Sequence, residues 1–247
     1  MTARSLLLIA GRSRRADRRV AILCVIGLAT SALLIAELAY GPVYLSTADI
    51  FAAMTGAAEP APQTIFSEIR APRALLAMTV GASLALAGAC LQGALRNPLA
   101  DPGLIGVSAG AAVGAVSIIV LGDLLLGAAA GPTGALRPYL LPLGAFTGGA
   151  VVTAFVFLVA SGPSGVSTST LILAGVAVNA IAGALIGAMV YVSDDSQLRE
   201  LTFWTMGSIG GARWALILPT LALALPAATI LILRARALWD SNASSSF

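Results

Sequence analysis

Histidine and lysine are both absent from this chain of 247 residues, and cysteine occurs only at Cys24 and Cys90. The first absence removes imidazole acid–base chemistry, and the scarcity of cysteine removes most zinc sites with it. Each cysteine lies within an apolar run and reads as a small buried hydrophobe. Charge is also scarce: 10% of residues are charged, against about 25% in soluble domains. No G-x-x-x-x-G-K-[ST] loop occurs, so the chain lacks the phosphate cradle that ATP binding would need. The formal net charge of +3 comes from arginine alone, and its placement says more than its total, which gives no support for nucleic acid. What remains is apolar, with 58% hydrophobic residues and a mean hydropathy of +0.95. A soluble fold is excluded in favour of an all-α, polytopic transmembrane helical bundle.

The organising stretch is Gly81 to Gly114. There an apolar run breaks at Arg96-Asn97-Pro98-Leu99-Ala100-Asp101-Pro102 and a second begins at once. Pro98 and Pro102 lack backbone donors and bias Asn97 and Asp101 away from helix. Asn97 and Asp101 in turn favour turns and helix N-caps. The flanking runs, Ala74 to Leu95 and Leu104 to Leu126, are each long enough to cross about 30 Å of hydrocarbon at about 1.5 Å per residue. A polar turn between two spans must lie at a membrane face, here read as a cytoplasmic corner.

The remaining spans follow in order. Arg4, Arg12, Arg14, Arg15, Arg18 and Arg19 precede a first span from Val20 to Tyr40, which runs outward by the positive-inside rule. A signal peptide is the competing reading, but the run is too long for an h-region and no small-x-small site follows. Glu37 near its outer end reads as a snorkelling residue rather than a proton carrier. Residues 41–73 are expected as an outer loop, with a short interfacial helix starting near Ser46. The third span carries Gly106, Gly110 and Gly114, a small-residue stripe suited to close helix packing. An outer loop with Arg137 leads to the fourth span, Leu140 to Ala160, and then an inner loop, Ser161 to Thr170.

The fifth span, Leu171 to Val192, has Gly175, Asn179, Gly183 and Gly187 at four-residue spacing. Asn179 has two readings, interhelical glue or a polar group lining an aqueous path. Ser193 to Arg213 is an outer segment in which Ser193 or Asp194 caps a helix and Gly210-Gly211 end it. Asp194-Asp195 reads as a cap rather than a metal-binding pair, while Trp204 and Trp214 suit an interfacial belt. The sixth span is Trp214 to Leu233, with Arg234 and Arg236 after it. The expected domains are a basic cytoplasmic tail at 1–19, a transmembrane domain at 20–233 and an atypical tail at 234–247. Nine arginines then fall inside and five outside; an acidic partner docking on the outer face would account for the outer ones.

The sequences R-A-P-R, G-A-S-L-A-L-A-G-A-C-L-Q and R-N-P-L-A-D-P-G-L-I-G-V-S-A-G-A, followed by L-I-L-A-G-V-A-V-N and F-W-T-M-G-S-I-G-G-A-R-W, closely resemble the permease family of bacterial ABC importers for iron-siderophore complexes, haem and cobalamin. The resemblance covers Val20 to Leu233. It implies a homodimer in the inner membrane, a pair of cytoplasmic ABC ATPase subunits and a periplasmic substrate-binding protein. It also implies that Arg70 and Arg73 dock that binding protein, where charge pairing orients and speeds encounter. By the same resemblance Gly175, Asn179, Gly183 and Gly187 line the translocation path. Ser167, Thr168, Ser169 and Thr170 mark the cytoplasmic gate, and Arg96, Asn97, Pro98, Asp101 and Pro102 form the cytoplasmic corner motif. No catalytic, cofactor or metal residue is expected.

Family members have about ten spans in two related halves, so the chain reads as the N-terminal half, truncated after the sixth span. A membrane-spanning permease subunit is the leading function. The alternative is a fragment that inserts without transporting. A membrane-embedded enzyme is disfavoured, because polar side chains inside the spans are few, Glu37, Asn179 and scattered hydroxyls among them.

Overall fold

A computed structural model describes residues 3–127, 137–163 and 165–243. The helices are α1 (Ala3–Ala39), α2 (Thr47–Thr55), α3 (Pro60–Thr64), α4 (Ala71–Leu95), α5 (Val107–Leu126), α6 (Arg137–Ala160), α7 (Thr168–Val192), α8 (Asp195–Met206) and α9 (Trp214–Ala243). Two short strands, β1 (Ser161–Gly162) and β2 (Gly165–Val166), pair antiparallel as Ser161 with Val166 and Gly162 with Gly165.

Among the described residues, five helical stretches are long and apolar enough to cross a membrane: Asp17–Ala39, Pro60–Leu95, Pro138–Ala160, Thr168–Val192 and Trp214–Arg234. The third expected span is α5, of 20 residues, whose apolar part, Val107–Gly122, is shorter than those five. It starts at Val107 rather than Leu104, because Pro102–Ile105 is wound as a 3₁₀ turn that ends on left-handed Gly106 (φ 81°). The loop expected between the third and fourth spans falls at 128–136, outside the described residues, as does Ser164 of the inner loop.

The chain divides into two compact units. The first holds residues 1–76 and 212–214. Here α1 begins well before Val20, so the basic segment expected as a separate tail continues the first helix. After α1 the chain turns, and Leu45, 2% exposed, returns its N–H to the Ala39 carbonyl at 3.1 Å. Ser46 then opens α2 with a capping box. Its hydroxyl accepts from the Asp49 N–H at 3.1 Å while the Asp49 carboxylate accepts from the Ser46 N–H at 2.9 Å, satisfying two orphan donors reciprocally.

The outer loop expected over 41–73 is therefore only partly a loop, for residues 60–73 are helical and continuous with α4. The prolines do not break it. Pro60 and Pro62 lie in the first turn, where no donor is needed. Pro72 follows a π-helical turn, Ile65–Arg70, closed by the Ala71 N–H on the Phe66 carbonyl. That wider turn relieves the carbonyl that a proline ring would otherwise strike.

The second unit holds residues 77–211 and 215–247, and its centre is the contact of α5 with α6. Glycines from the two helices face each other: a Cβ on Gly110 would stand 2.5 Å from the Gly148 carbonyl oxygen, and one on Gly114 would stand 2.0 Å from that of Gly144. Only hydrogen at these positions allows the backbones to meet. In lipid, such packing, rather than apolar burial, holds helices together. Val156, Ala160, Ile105 and Leu171 form a buried apolar cluster with Leu91 and Leu95 against it. Towards the other end of α7, the Ser117 hydroxyl lies 3.8 Å from Met189 Sδ. The Gln197 amide donates to the Val120 carbonyl at 3.3 Å.

Candidate functional site

The arginines of R-A-P-R have different surroundings. Arg70, expected to present its charge at an outer surface, is buried at 5% exposure. Its Nη1 donates to the Leu38 carbonyl and its Nη2 to the Val43 carbonyl. The reason lies in α1, whose last carbonyls have no intrahelical donor; the guanidinium fork supplies one. Gly41 makes room, since a Cβ there would stand 2.9 Å from Arg70 Nη2. Arg73, three residues on, is 45% exposed and its Nε pairs with Glu37 Oε1 at 3.0 Å. Glu37, expected to snorkel, is that arginine's partner and is itself partly exposed. Trp214, assigned from sequence to an interfacial belt, donates its indole N–H to the Ser67 carbonyl at 2.9 Å.

The corner forms as its residues dictate. After Leu95 the chain takes a left-handed residue at Arg96 (φ 50°), and the Asn97 N–H reaches back to the Gln92 carbonyl at 3.2 Å, a Schellman-type ending. Asn97 Oδ1 accepts from the Leu99 N–H at 2.9 Å. Asp101 Oδ1 accepts from the Gly103 N–H at 2.7 Å and so caps the 3₁₀ turn. Pro98 and Pro102 sit where neither N–H is missed, and Pro102 opens that turn.

The stripe on α7 divides. Gly175 is buried under the corner, where a Cβ would stand 2.0 Å from the Leu104 carbonyl oxygen. The Asn179 amide donates to the Gly103 carbonyl at 3.2 Å, while its Oδ1 is buried without a hydrogen-bond partner. Gly183 and Gly187 are exposed, with nothing within 4 Å of a built Cβ. Four-residue steps advance about 40° each around a helix of about 3.6 residues per turn. Gly183 and Gly187 are thus rotated about 80° and 120° from Gly175, while Ala182, about 20° away, is the buried residue of that half. The structure brings Gly175 and Asn179 to the corner and leaves Gly183 and Gly187 on another face.

At the start of α7, Ser167 is the N-cap, accepting from the Thr170 N–H at 3.3 Å. Its hydroxyl also lies 2.9 Å from that of Thr170 and 3.2 Å from that of Ser169. Ser167, Thr168, Ser169 and Thr170 thus form a polar helix start directly after the β1–β2 hairpin. An apolar groove of about 230 Å³ lies farther along, lined by Gly110, Gly114 and Gly148 and by Val178, Ala182 and Leu185 of α7. It offers no charged group to orient a solute.

Asp194 caps α8, with its Oδ1 accepting from the Ser196 and Gln197 N–H groups at 2.8 and 2.9 Å. The Gln197 backbone N–H and then the Ser196 hydroxyl hold its carboxyl below the usual carboxylate range. Asp49 is likewise lowered, first by the Ser46 hydroxyl and then by the Ser46 N–H. Among the described residues no three metal-ligating side chains gather. The helix ends at Gly207 (φ 73°), ahead of the expected Gly210-Gly211. The partner glycines of α6 were missed from sequence, although Gly144 and Gly148 repeat the four-residue spacing that marked α5.

Helices long and apolar enough to cross a membrane, joined by glycine-mediated contacts and a proline-bounded corner, make this a polytopic transmembrane helical bundle. The chain is a member of the FecCD transport family, whose pattern matches residues 24–239. It is 42% identical over 174 residues to the hemin transport system permease protein HmuU of Yersinia pestis, covering 70% of this chain and 50% of that one. It is 37% identical over 193 residues to the vitamin B12 import system permease protein BtuC of Escherichia coli O139:H28, covering 78% and 53%. An inward-facing structure of a metal-chelate type ABC transporter superposes with a TM-score of 0.72 at 31% identity, covering 88% of this chain and 63% of that one. The chain spans about half the length of the curated relatives it matches.

Proposed function

We propose that this chain is part of the membrane-spanning permease of an ATP-driven importer for an iron chelate, haem or a cobalamin-type substrate. The observation that carries the reading is the family match over residues 24–239, joined by similarity to a haemin and a vitamin B12 permease. The permease works as a dimer in the inner membrane with its N-terminus in the cytoplasm. Separate cytoplasmic ATPase subunits drive it, and a periplasmic binding protein delivers the substrate. Arg73 supplies a docking charge, supported by its exposure and its capacity to pair with a carboxylate. Arg70 contributes by holding the end of α1 in place, since its own donors are occupied by carbonyls. Gly183 and Gly187 line the path, supported by the open space over them. Gly175 and Asn179 border it from the corner side, and Ser167 to Thr170 form the gate.

The test is uptake of haemin and of cobalamin in cells deleted for their own permease. The chain is supplied alone, and also continued beyond Leu233 by the second half of a relative. Uptake by the continued version, lost when Gly183 is replaced by leucine at unchanged abundance, supports the reading. Membrane insertion without uptake by either version favours a chain that inserts but does not transport. In the same cells, Arg73→Glu is expected to reduce binding-protein association; unchanged association removes Arg73 from docking.

A further inference from the structure

Three consecutive contacts tie the corner to α7. Ile105 of the 3₁₀ turn packs in one buried cluster with Leu171. The Leu104 carbonyl lies against Gly175 so closely that a methyl would stand 2.0 Å from its oxygen. The Asn179 amide bonds to the Gly103 carbonyl at 3.2 Å. Leu171, Gly175 and Asn179 are spaced i, i+4, i+8, so they climb the first three turns of α7 while winding about 80° around it, and the corner follows them. The corner is stiff in itself, because Asp101 holds Gly103 and Gly106 closes the turn. Gly106 is held from outside as well: a Cβ there would stand 3.1 Å from Val152 Cγ1 and 3.6 Å from Asn179 Oδ1. The same cluster includes Val156 and Ala160, the last apolar turn of α6 before the β1–β2 hairpin.

We propose that the corner from Asn97 to Gly106 and the first three turns of α7 form one mechanical unit, with Asn179 as the residue that clasps them. A displacement at the Ser167–Thr170 helix start then carries the corner with it, and a loosened corner releases the helix start. Asn179 is a positioning residue in this account, and its polarity serves the clasp. A leucine of similar size cannot donate to the Gly103 carbonyl. The proposal stands on contacts within this chain, so it can fail while the permease reading survives, and the reverse.

The test is hydrogen exchange of the purified chain in lipid nanodiscs, followed by mass spectrometry over residues 100–106 and 171–175. Asn179→Leu is expected to raise exchange in both segments about threefold or more, in line with the loss of one buried hydrogen bond, with the α5–α6 contact unchanged. The decisive variant is Asp101→Ala, at an exposed side chain that accepts from the Gly103 N–H within the corner itself. It is expected to raise exchange at 171–175 together with 100–106, although Asp101 does not bond to α7. The proposal is overturned if Asp101→Ala loosens 100–106 and leaves 171–175 at the wild-type rate. It is equally overturned if folded Asn179→Leu keeps the corner as protected as before. Should Asn179→Leu fail to fold, Asp101→Ala still decides.

Discussion

Two glycine-bearing stripes with the same four-residue spacing meet different fates. Gly110 and Gly114 of α5 are pressed onto the backbone of α6, while α7 has Gly175 pressed onto the corner and Gly183 and Gly187 open. The difference lies in what stands opposite. Gly144 and Gly148 on α6 repeat the spacing, so hydrogen faces backbone at two successive turns, and close approach becomes possible on both sides. Facing the glycine stripe of α7 is a short 3₁₀ turn that reaches only as far as Asn179. A small-residue stripe therefore reports close packing only where the partner is also small and runs alongside it.

The largest effect that would break this comparison is Gly114→Leu. Its first side-chain carbon would meet a backbone carbonyl, which cannot rotate away, so the two helices must separate. We expect a loss of about 3 kcal/mol or more, read as a fall in melting temperature and in the monodisperse fraction in detergent. Gly183→Leu is the sharpening control. With nothing within 4 Å, it should change stability by less than about 0.5 kcal/mol and act only on transport. If both leucines destabilise alike, the two stripes do not differ in the way described.

The arginines of R-A-P-R give a second pair of like residues with unlike roles, and an intermediate effect. Arg70→Met leaves the Leu38 and Val43 carbonyls without their donor, which should cost about 2 kcal/mol, as for hydrogen bonds to charged groups. Arg73→Met breaks a half-exposed ion pair and should cost less than about 0.5 kcal/mol, as solvent screens such pairs. Thermal melting of both variants in the same detergent checks the ranking; equal losses would remove the distinction.

The spans and the corner were legible because apolar length and proline position act locally. Asn97, Asp101 and Asp194 took the turn and cap roles their short acceptors favour. The helical course of residues 60–73 was not legible. Three prolines there read as loop, and only the π turn before Pro72 and the first-turn positions of Pro60 and Pro62 make them compatible with helix. The burial of Arg70 was not legible for a related reason: its partners are backbone carbonyls, about 30 residues earlier in the chain, that carry no signature in sequence. The division of the α7 stripe was hidden by reading a spacing of four as a fixed face, when it winds around the helix.

The smallest effect lies at the C-terminal end of α7, beyond its open glycines, where Asp194 begins α8. Its carboxyl is held below the usual range by the Gln197 N–H and the Ser196 hydroxyl. A carboxylate with a lowered folded pKa contributes its stability in full above the unfolded value of about 3.9, and the contribution is lost as pH falls through the lower folded value. The cap is therefore complete at neutral pH and weakens only below about pH 4. The amide shifts of Ser196 and Gln197, whose N–H groups bond to Asp194 Oδ1, should titrate together with a midpoint under 3.9 or so. Asp194→Asn keeps an acceptor oxygen at the cap but cannot titrate, so the same shifts should stay flat across that range. A midpoint at or above the unfolded value would mean that the cap does not favour the ionised carboxylate, and α8 would then begin without its charge-assisted bonds.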